Sequence, residues 1–315
     1  MKKETFLKLQ KEAKKLKQSN LMSSWWVLRA TLLTSLWITA LSSGSLPFII
    51  LGSFLGPAVV YNWVSLLHES GHGHFFTARW VNTIVGLIAS WFSLLPYEQW
   101  RITHLLHHKW TGYFDKDPTS SGPNKTIIKD KQKKIVDFAW KYSIPLFVPI
   151  FYFRSFWNPF FTLQFSKSAS KKVFQIFCLF FMLLPYIILT ALIGWKFLAI
   201  ICPSFFLTLI IADPFLLSQH NYFERQYFDE NKSDRPVPLR EQDIYTRELV
   251  FPPFIANFVF MNFNYHVSHH FFPKLPGYCL PKLKYESASR MSWSRWLFQS
   301  KKIPGHKILM DFGPL

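Results

Sequence analysis

Long apolar stretches alternate with polar and basic segments along this chain of 315 residues. A helix needs about 20 mostly apolar residues to cross a bilayer. Four stretches qualify, and they fall into two pairs that are each joined by a short turn. They predict an all-α integral membrane protein with four transmembrane helices arranged as two hairpins, at residues 25–41, 46–67, 173–193 and 197–217.

Three further apolar stretches are too short to cross a bilayer comfortably. They are residues 83–96, residues 142–153 and residues 249–261, the last of which contains Pro252 and Pro253. We expect these stretches to form interfacial or re-entrant helices.

The N-terminal segment, residues 1–24, is basic and carries a helical pattern. It has seven lysines within its first 20 residues, and Phe6, Leu9, Ala13 and Leu16 recur at helical spacing. The pattern predicts an amphipathic helix on the anionic cytoplasmic face of a membrane. A solvated, frayed tail is the open alternative.

Composition and charge agree with a membrane protein that has a basic cytoplasmic surface. Half of the residues are apolar, 19% are aromatic, and the formal net charge is +18. Nearly all lysines and arginines lie in the N-terminal segment, in residues 68–172 and in residues 218–315, so the positive-inside rule places these regions and both termini in the cytoplasm. The long apolar runs argue against nucleic acid as the partner of this charge. Because no repeat or linker marks a second domain, we expect residues 1–315 to form a single one.

Ten of the eleven histidines fall in four places along the chain. They are His68, His72 and His74; His104, His107 and His108; His220; and His266, His269 and His270. Residues three or four positions apart share one face of a helix, so the first histidine of each cluster can reach the same ion as a later one.

The number of histidines is more informative than their type, because neutral imidazole binds iron, zinc, copper and nickel alike. His74 lies on a different helical face from His72, and His306 stands alone, which leaves nine imidazoles. A tetrahedral zinc uses three or four ligands. Nine imidazoles can bind two ions and leave coordination positions open for oxygen. The pattern therefore predicts two redox-active irons.

Three motifs contain most of these histidines. They are HESGHGHFF from His68, HLLHHKWTG from His104 and NYHVSHHFFPKLPGY from Asn264, with a membrane hairpin between the second and the third. In these motifs the chain resembles the membrane fatty-acid desaturase family, which includes lipid and carotenoid hydroxylases and ketolases. The resemblance implies a four-helix membrane domain with a cytosolic histidine-rich cap, a diiron centre, molecular oxygen as co-substrate, and a separate electron donor such as a ferredoxin or a small cytochrome.

The resemblance also implies which residues bind the metal. Carried over motif by motif, the ligands are His68, His72, His104, His107, His108, His220, His266, His269 and His270. Two positions depart from the family pattern. Glu69 stands where aspartate is common, and Leu216 stands where some relatives have an asparagine ligand.

Polar residues near the motifs are candidates for orienting the ligand histidines. Glu69, Asp213 and Asn264 are the residues that we expect in this role. Losing such a partner typically costs 10–100-fold in metal affinity or activity. Asp213 lies near the end of an apolar span, where an acid is costly unless it has a function. Asp115 and Asp117 also lie near the motifs, but the formation of a turn explains these two acids equally well.

The sequence therefore predicts O2-dependent oxidation of a lipid acyl chain, with desaturation favoured over hydroxylation or ketolation of a lipid or carotenoid. Two other classes stay open. His68, Glu69 and His72 match the HExxH motif of zinc proteases, but a protease leaves most of the clustered histidines unexplained. A metal transporter would place its histidines near the bilayer midplane, whereas these lie at span ends and in cytosolic segments.

Overall fold

Helices dominate the computed structural model, which describes residues 1, 3–119, 129–229 and 235–310. Residue 2 of the predicted N-terminal segment lies outside the described residues. So do residues 120–128, 230–234 and 311–315, which belong to the predicted cytosolic segments 68–172 and 218–315.

Thirteen α-helices occur in the described ranges, together with a few shorter elements. The α-helices are α1 Lys3–Lys15, α2 Asn20–Ser42, α3 Leu46–Gly71, α4 Arg79–Ser93, α5 Tyr97–Trp110, α6 Asp130–Lys141, α7 Phe147–Tyr152, α8 Pro159–Leu163, α9 Ala169–Ile193, α10 Lys196–His220, α11 His266–Phe271, α12 Trp293–Ser300 and α13 Gly305–Met310. The 3-10 helices are Leu239–Ile244 and Leu280–Lys282, and the π-helices are Phe153–Trp157 and Ile255–Val259. Two short strands, β1 Leu249–Val250 and β2 Met291–Ser292, pair in parallel.

Within the described ranges, three helices are long and apolar enough to cross a membrane, namely α3, α9 and α10. They contain the predicted spans 46–67, 173–193 and 197–217, so these three are confirmed as candidate spans. The helices α4 and α5 pass the same criteria only as a pair, which is bent by 99°. The predicted short helix at 83–96 lies largely in α4.

The predicted span at 25–41 lies within α2, which has 23 residues. Its length suffices for a bilayer, but Arg29 and several serines and threonines make it less apolar than the three candidates. The Arg29 guanidinium donates hydrogen bonds of 2.9 Å to the side chain and the carbonyl of Asn257 and lies against the ring of Trp26. Whether α2 crosses a membrane stays a prediction.

The two other short apolar stretches are only partly helical. The stretch 142–153 contains the six-residue α7. The stretch 249–261 begins as β1 and becomes helical over residues 253–259. The predicted helix therefore covers only the second half of the stretch, because Pro252 and Pro253 each lack the N–H that a helix interior needs.

The basic N-terminal segment forms the predicted helix, α1, but its apolar face is buried against the protein rather than left free for a membrane. Leu9 is 4% exposed. Phe6 stacks on Phe272, with ring centroids 5.6 Å apart, just beyond the third histidine motif. The alternative of a frayed tail is therefore also wrong for Lys3–Lys15. The outward face keeps most of the lysines.

Helix α3 lies at the centre of the bundle and packs against α2, α4 and α10. Small residues permit the close approach. A Cβ atom at Gly56 would lie 2.3 Å from the Cβ of Ser204 in α10, and the Ser204 hydroxyl accepts a 2.9 Å hydrogen bond from Trp37 of α2. Such small-residue contacts are typical of helices that pack in membranes.

We predict that Gly56→Ala destabilises the bundle, because the added methyl group forces α3 and α10 apart. Overpacking of this kind typically costs about 1–3 kcal/mol. The midpoint of thermal unfolding in detergent should fall clearly. Leu51→Ala, on the exposed face of the same helix, is the control and should change the midpoint little. An unchanged midpoint for Gly56→Ala would show that α3 and α10 do not pack tightly at Gly56.

Candidate metal centre

The four histidine clusters converge at one place, where α3, α5, α10 and α11 meet. Nine of the histidines form two groups, and within each group one side-chain nitrogen per residue lies within 4.8 Å of all the others. The first group is His68, His72, His104, His108 and His269, and the second is His107, His220, His266 and His270. The structure therefore brings together all nine histidines that were predicted to bind metal.

Helical geometry decides which group each histidine joins. In α5, His104 and His108 are one turn apart and point to the first group, whereas His107 is rotated by about 100° from His108 and points to the second. In α11 the roles are reversed, because His266 and His270 share the second group and His269 joins the first. Each HxxHH motif thus serves both groups.

The inward nitrogens lie too close together to satisfy one another. In the first group, His104 Nε2 lies 2.9 Å from His72 Nε2 and 3.0 Å from His108 Nε2. His269 Nε2 similarly lies 2.9 Å from the Nε2 atoms of both His68 and His108. The Nε2 atom of a neutral imidazole carries either one N–H or one lone pair. His104, His108 and His269, which each have two such contacts, therefore cannot form a good hydrogen bond in both.

A metal ion in each group would resolve this crowding. Metal–imidazole bonds are about 2.0–2.1 Å long, so two ligands at right angles to each other on one ion are about 2.9 Å apart. In the second group, His266 Nε2 lies 2.6 Å from His220 Nε2 and 3.1 Å from His270 Nε2. The donor set and its spacing therefore fit one ion in each group, which would be held by five histidines in the first group and by four in the second.

Three of the four outward nitrogens of the second group are held by acceptors. His107 Nδ1 lies 2.9 Å from Asp117 Oδ2, and His270 Nδ1 lies 2.8 Å from Gln242 Oε1. His220 Nδ1 lies 3.1 Å from the carbonyl oxygen of Tyr245. An acceptor at Nδ1 favours the tautomer that keeps its proton there and directs the Nε2 lone pair inward.

Burial keeps several of these imidazoles in the neutral form that can bind metal. It lowers the pKa of His266, His269 and His270 well below the ordinary value, and that of His72 to about 3. Burial alone would raise the pKa of the Asp117 carboxyl, but the neighbouring His107 and Arg225 hold it below its usual value. Asp117 is therefore available as an anionic acceptor.

Of the three residues expected to orient ligands, only Glu69 contacts a histidine. Its carboxylate lies 3.3 Å from His68 Nδ1 and accepts a 3.0 Å hydrogen bond from the Gly277 N–H.

The expectation for Asp213 needs correction. Its carboxylate accepts hydrogen bonds from the backbone N–H groups of Leu146, Phe147 and Val148. It therefore anchors the start of α7, where a helix leaves N–H groups without partners. Asn264 does not contact a histidine through a described hydrogen bond either, and its amide donates to the Leu249 carbonyl instead.

The remaining histidines lie outside both groups, as expected. His74 is exposed, and His306 Nδ1 lies 2.8 Å from the Asp137 carboxylate.

Sequence reasoning missed Gln242 and Tyr245, because neither lies in a motif. It also missed Trp100, which stacks on the His104 ring at 4.4 Å and occupies the space that a side chain at Gly71 would fill.

Comparison with known proteins adds an independent observation. A family model described as "Fatty acid desaturase" matches residues 43–302. The "Fatty acid desaturase" of Bacillus subtilis (strain 168) is 26% identical over 228 residues, which are 68% of this chain and 61% of that protein. The "Omega-3 fatty acid desaturase, endoplasmic reticulum" of Vigna radiata var. radiata is 27% identical over 225 residues, which are 68% of this chain and 57% of that protein.

A shorter match involves the "sn-1 acyl-lipid omega-3 desaturase (ferredoxin)" of Nostoc sp. (strain 36), which is 36% identical over 63 residues, or 20% of this chain and 18% of that protein. The chain spans about three fifths of the length of the two longer matches.

We predict that Asp117→Asn weakens metal binding by the second group, because an amide removes the anionic acceptor from His107. The expected loss is about ten-fold, at the lower end of the range for such partners. The measurement is the Fe²⁺ that purified, loaded protein retains against increasing chelator. Asp115→Asn is the matched control, since its carboxylate accepts from the exposed backbone N–H of Phe228. Equal retention by both variants would remove Asp117 from the site.

Proposed function

The chain belongs to the fatty acid desaturase family, and on that premise we propose that it oxidises a C–H bond of a lipid acyl chain with molecular oxygen at a pair of histidine-bound iron ions. The proposed product is an alkene. The observation that carries the proposal is the division of nine buried or half-buried histidines into a group of five and a group of four.

The proposed ligands are all nine of these histidines. When bound, two irons supply the reduction of O2 and the removal of hydrogen from an unactivated methylene group. The chain itself holds the imidazoles neutral by burial and aims His107, His220 and His270 through their Nδ1 acceptors. The buried surroundings exclude water, and the aromatic ring of Trp100 covers His104.

The zinc protease alternative is disfavoured by the position of Glu69. A general base would have to face the metal-binding Nε2 atoms, whereas the Glu69 carboxylate lies at the Nδ1 side of His68 and is held by the Gly277 N–H. The transporter alternative is disfavoured because the histidines gather at the ends of α3 and α10 rather than at their middles.

We also propose a separate electron donor. The Nostoc relative carries ferredoxin in its name, and the net charge of +18 on this chain suits an acidic protein. A ferredoxin or a small cytochrome has that character, and the outward lysines of α1 contribute to the basic surface.

The proposed membrane arrangement has four spans, α2, α3, α9 and α10, with both termini and all histidine motifs on the cytoplasmic side. It is supported by the meeting of four distant segments at one centre. It also requires α4 and α5 to enter and return on the same side, and the 2.9 Å separation of His72 Nε2 from His104 Nε2 supports such a re-entrant hairpin.

Activity and metal content test the function together. We predict that expression in a host of defined lipid composition yields new unsaturated fatty acids, detected by mass spectrometry, and that the purified protein holds close to two irons per chain. His269→Ala should abolish the product, because His269 Nε2 bridges His68 and His108. His306→Ala is the control and should retain it, because His306 lies outside both histidine groups, against Asp137. Hydroxylated or oxo products would show that the reaction is hydroxylation or ketolation rather than desaturation. One zinc per chain with no lipid product would overturn the proposal.

Labelling of single cysteines tests the topology. In a Cys202→Ser background, whose other cysteines are buried, we expect an impermeant maleimide to label Ser43→Cys and Trp195→Cys in intact cells. Lys14→Cys and Lys129→Cys should react only after lysis. If Lys14→Cys reacts together with Ser43→Cys, α2 does not cross the membrane.

A further inference from the structure

A cavity of about 350 Å³ opens beside the first histidine group. Its walls include His72, His74, Arg79, Tyr97, Arg101 and Leu105. The volume lies within the range of ligand pockets in proteins. Because His72 belongs both to this wall and to the first group, a ligand in the cavity would lie directly beside the candidate metal centre.

The cavity is positively charged. Arg101 is neutralised by Glu98, with contacts of 2.6 and 2.7 Å between guanidinium and carboxylate. In contrast, no carboxylate in the described part of the chain pairs with Arg79. One unpaired cation therefore lies in the cavity wall, and an anionic ligand would be attracted to it.

The position of Arg79 favours the polar end of a lipid as the ligand of this cavity. Arg79 is the first residue of the 15-residue helix α4, whose N-terminus has no side-chain cap and carries a partial positive charge. The adjacent Trp80 is 68% exposed. Exposed tryptophans in membrane proteins concentrate at the level of the lipid headgroups, so Arg79 lies where lipid phosphates occur.

We propose that this cavity binds the phosphate-bearing polar end of the lipid substrate, with Arg79 as the principal contact. The proposal rests on the proposed function for the identity of the ligand as the substrate. The phosphate could belong to a phospholipid headgroup or to an acyl-CoA thioester, and both present the same chemistry to Arg79. Bound there, the substrate would have its polar end fixed at Arg79, in a cavity that His72 also lines.

Lipid retention tests the proposal without requiring catalysis. Full-length protein in dodecyl maltoside would be incubated with dioleoylphosphatidylglycerol, with dioleoylglycerol or with oleoyl-CoA, and the bound lipid measured by native mass spectrometry. We expect phosphatidylglycerol or oleoyl-CoA to be retained over dioleoylglycerol. Arg79→Gln should reduce this retention about ten-fold, the effect of one charge-assisted hydrogen bond at a partly exposed site. Arg79→Lys should keep most of it.

The controls separate the possible outcomes. Arg295→Gln removes an exposed cation from α12 and should leave retention unchanged. His269→Ala should bind lipid like the wild type, so a failure of the oxidase function would not hide lipid binding. Retention of only one of the two phosphate-bearing probes identifies its source. Equal retention of dioleoylglycerol, equal retention by Arg79→Gln in a variant that elutes as folded protein, or retention of neither probe overturns the proposal.

Discussion

Nine buried or half-buried imidazole rings meet at one place in two groups, and metal binding by either group would require neutral rings whose lone pairs point inward. Burying a polar nitrogen without a partner costs free energy, and here the crowding of Nε2 atoms at 2.6–3.1 Å makes mutual hydrogen bonding impossible for several of them. The surrounding fold must therefore hold the rings together against the mutual repulsion of these nitrogens. The central position of α3, the anchoring of α7 by Asp213 and the packing of α1 over the third motif all serve this requirement.

The route of the chain follows from the same requirement. His68 and His220 lie at the C-terminal ends of α3 and α10, on the same side of the helix bundle. The bent pair of α4 and α5 leaves that side of the bundle and returns to it. The last motif lies in the six-residue α11. A helix so short has little stability of its own, so α11 depends on its neighbours. Phe6 of α1 covers Phe271 and Phe272 at its end, and Gln242 bonds one of its histidines.

The histidine spacing was sufficient to predict which side chains meet, because helical periodicity places His68 near His72 and His104 near His108. It did not predict that each HxxHH motif would divide between two groups, since that depends on how α5 and α11 are rotated about their axes by packing. The partners Gln242 and Tyr245 could not be predicted, because their approach to the histidines depends on the path of a loop. Asp213 was misjudged for a related reason: the start of α7 lies 65–67 residues away in sequence, and nothing local indicates that its N–H groups need this acid.

The two histidine groups are unequal in a way that bears on their chemistry. Three of the four rings in the second group have an Nδ1 acceptor, whereas in the first group only His68 has one among the described hydrogen bonds, at 3.3 Å. The buried Nδ1 atoms of His108 and His269 have no partner among the described residues. A ring fixed at both nitrogens loses less freedom on binding a metal than a ring fixed at neither. The second group thus has fewer histidines, most of which are held rigidly. The first group has more histidines, and their rings are freer to adjust.

The cavity lined by Arg79 opens beside the first group, at His72. Because these rings can shift without breaking Nδ1 hydrogen bonds, this side of the centre can accommodate a substrate at a smaller energetic cost than the rigid side.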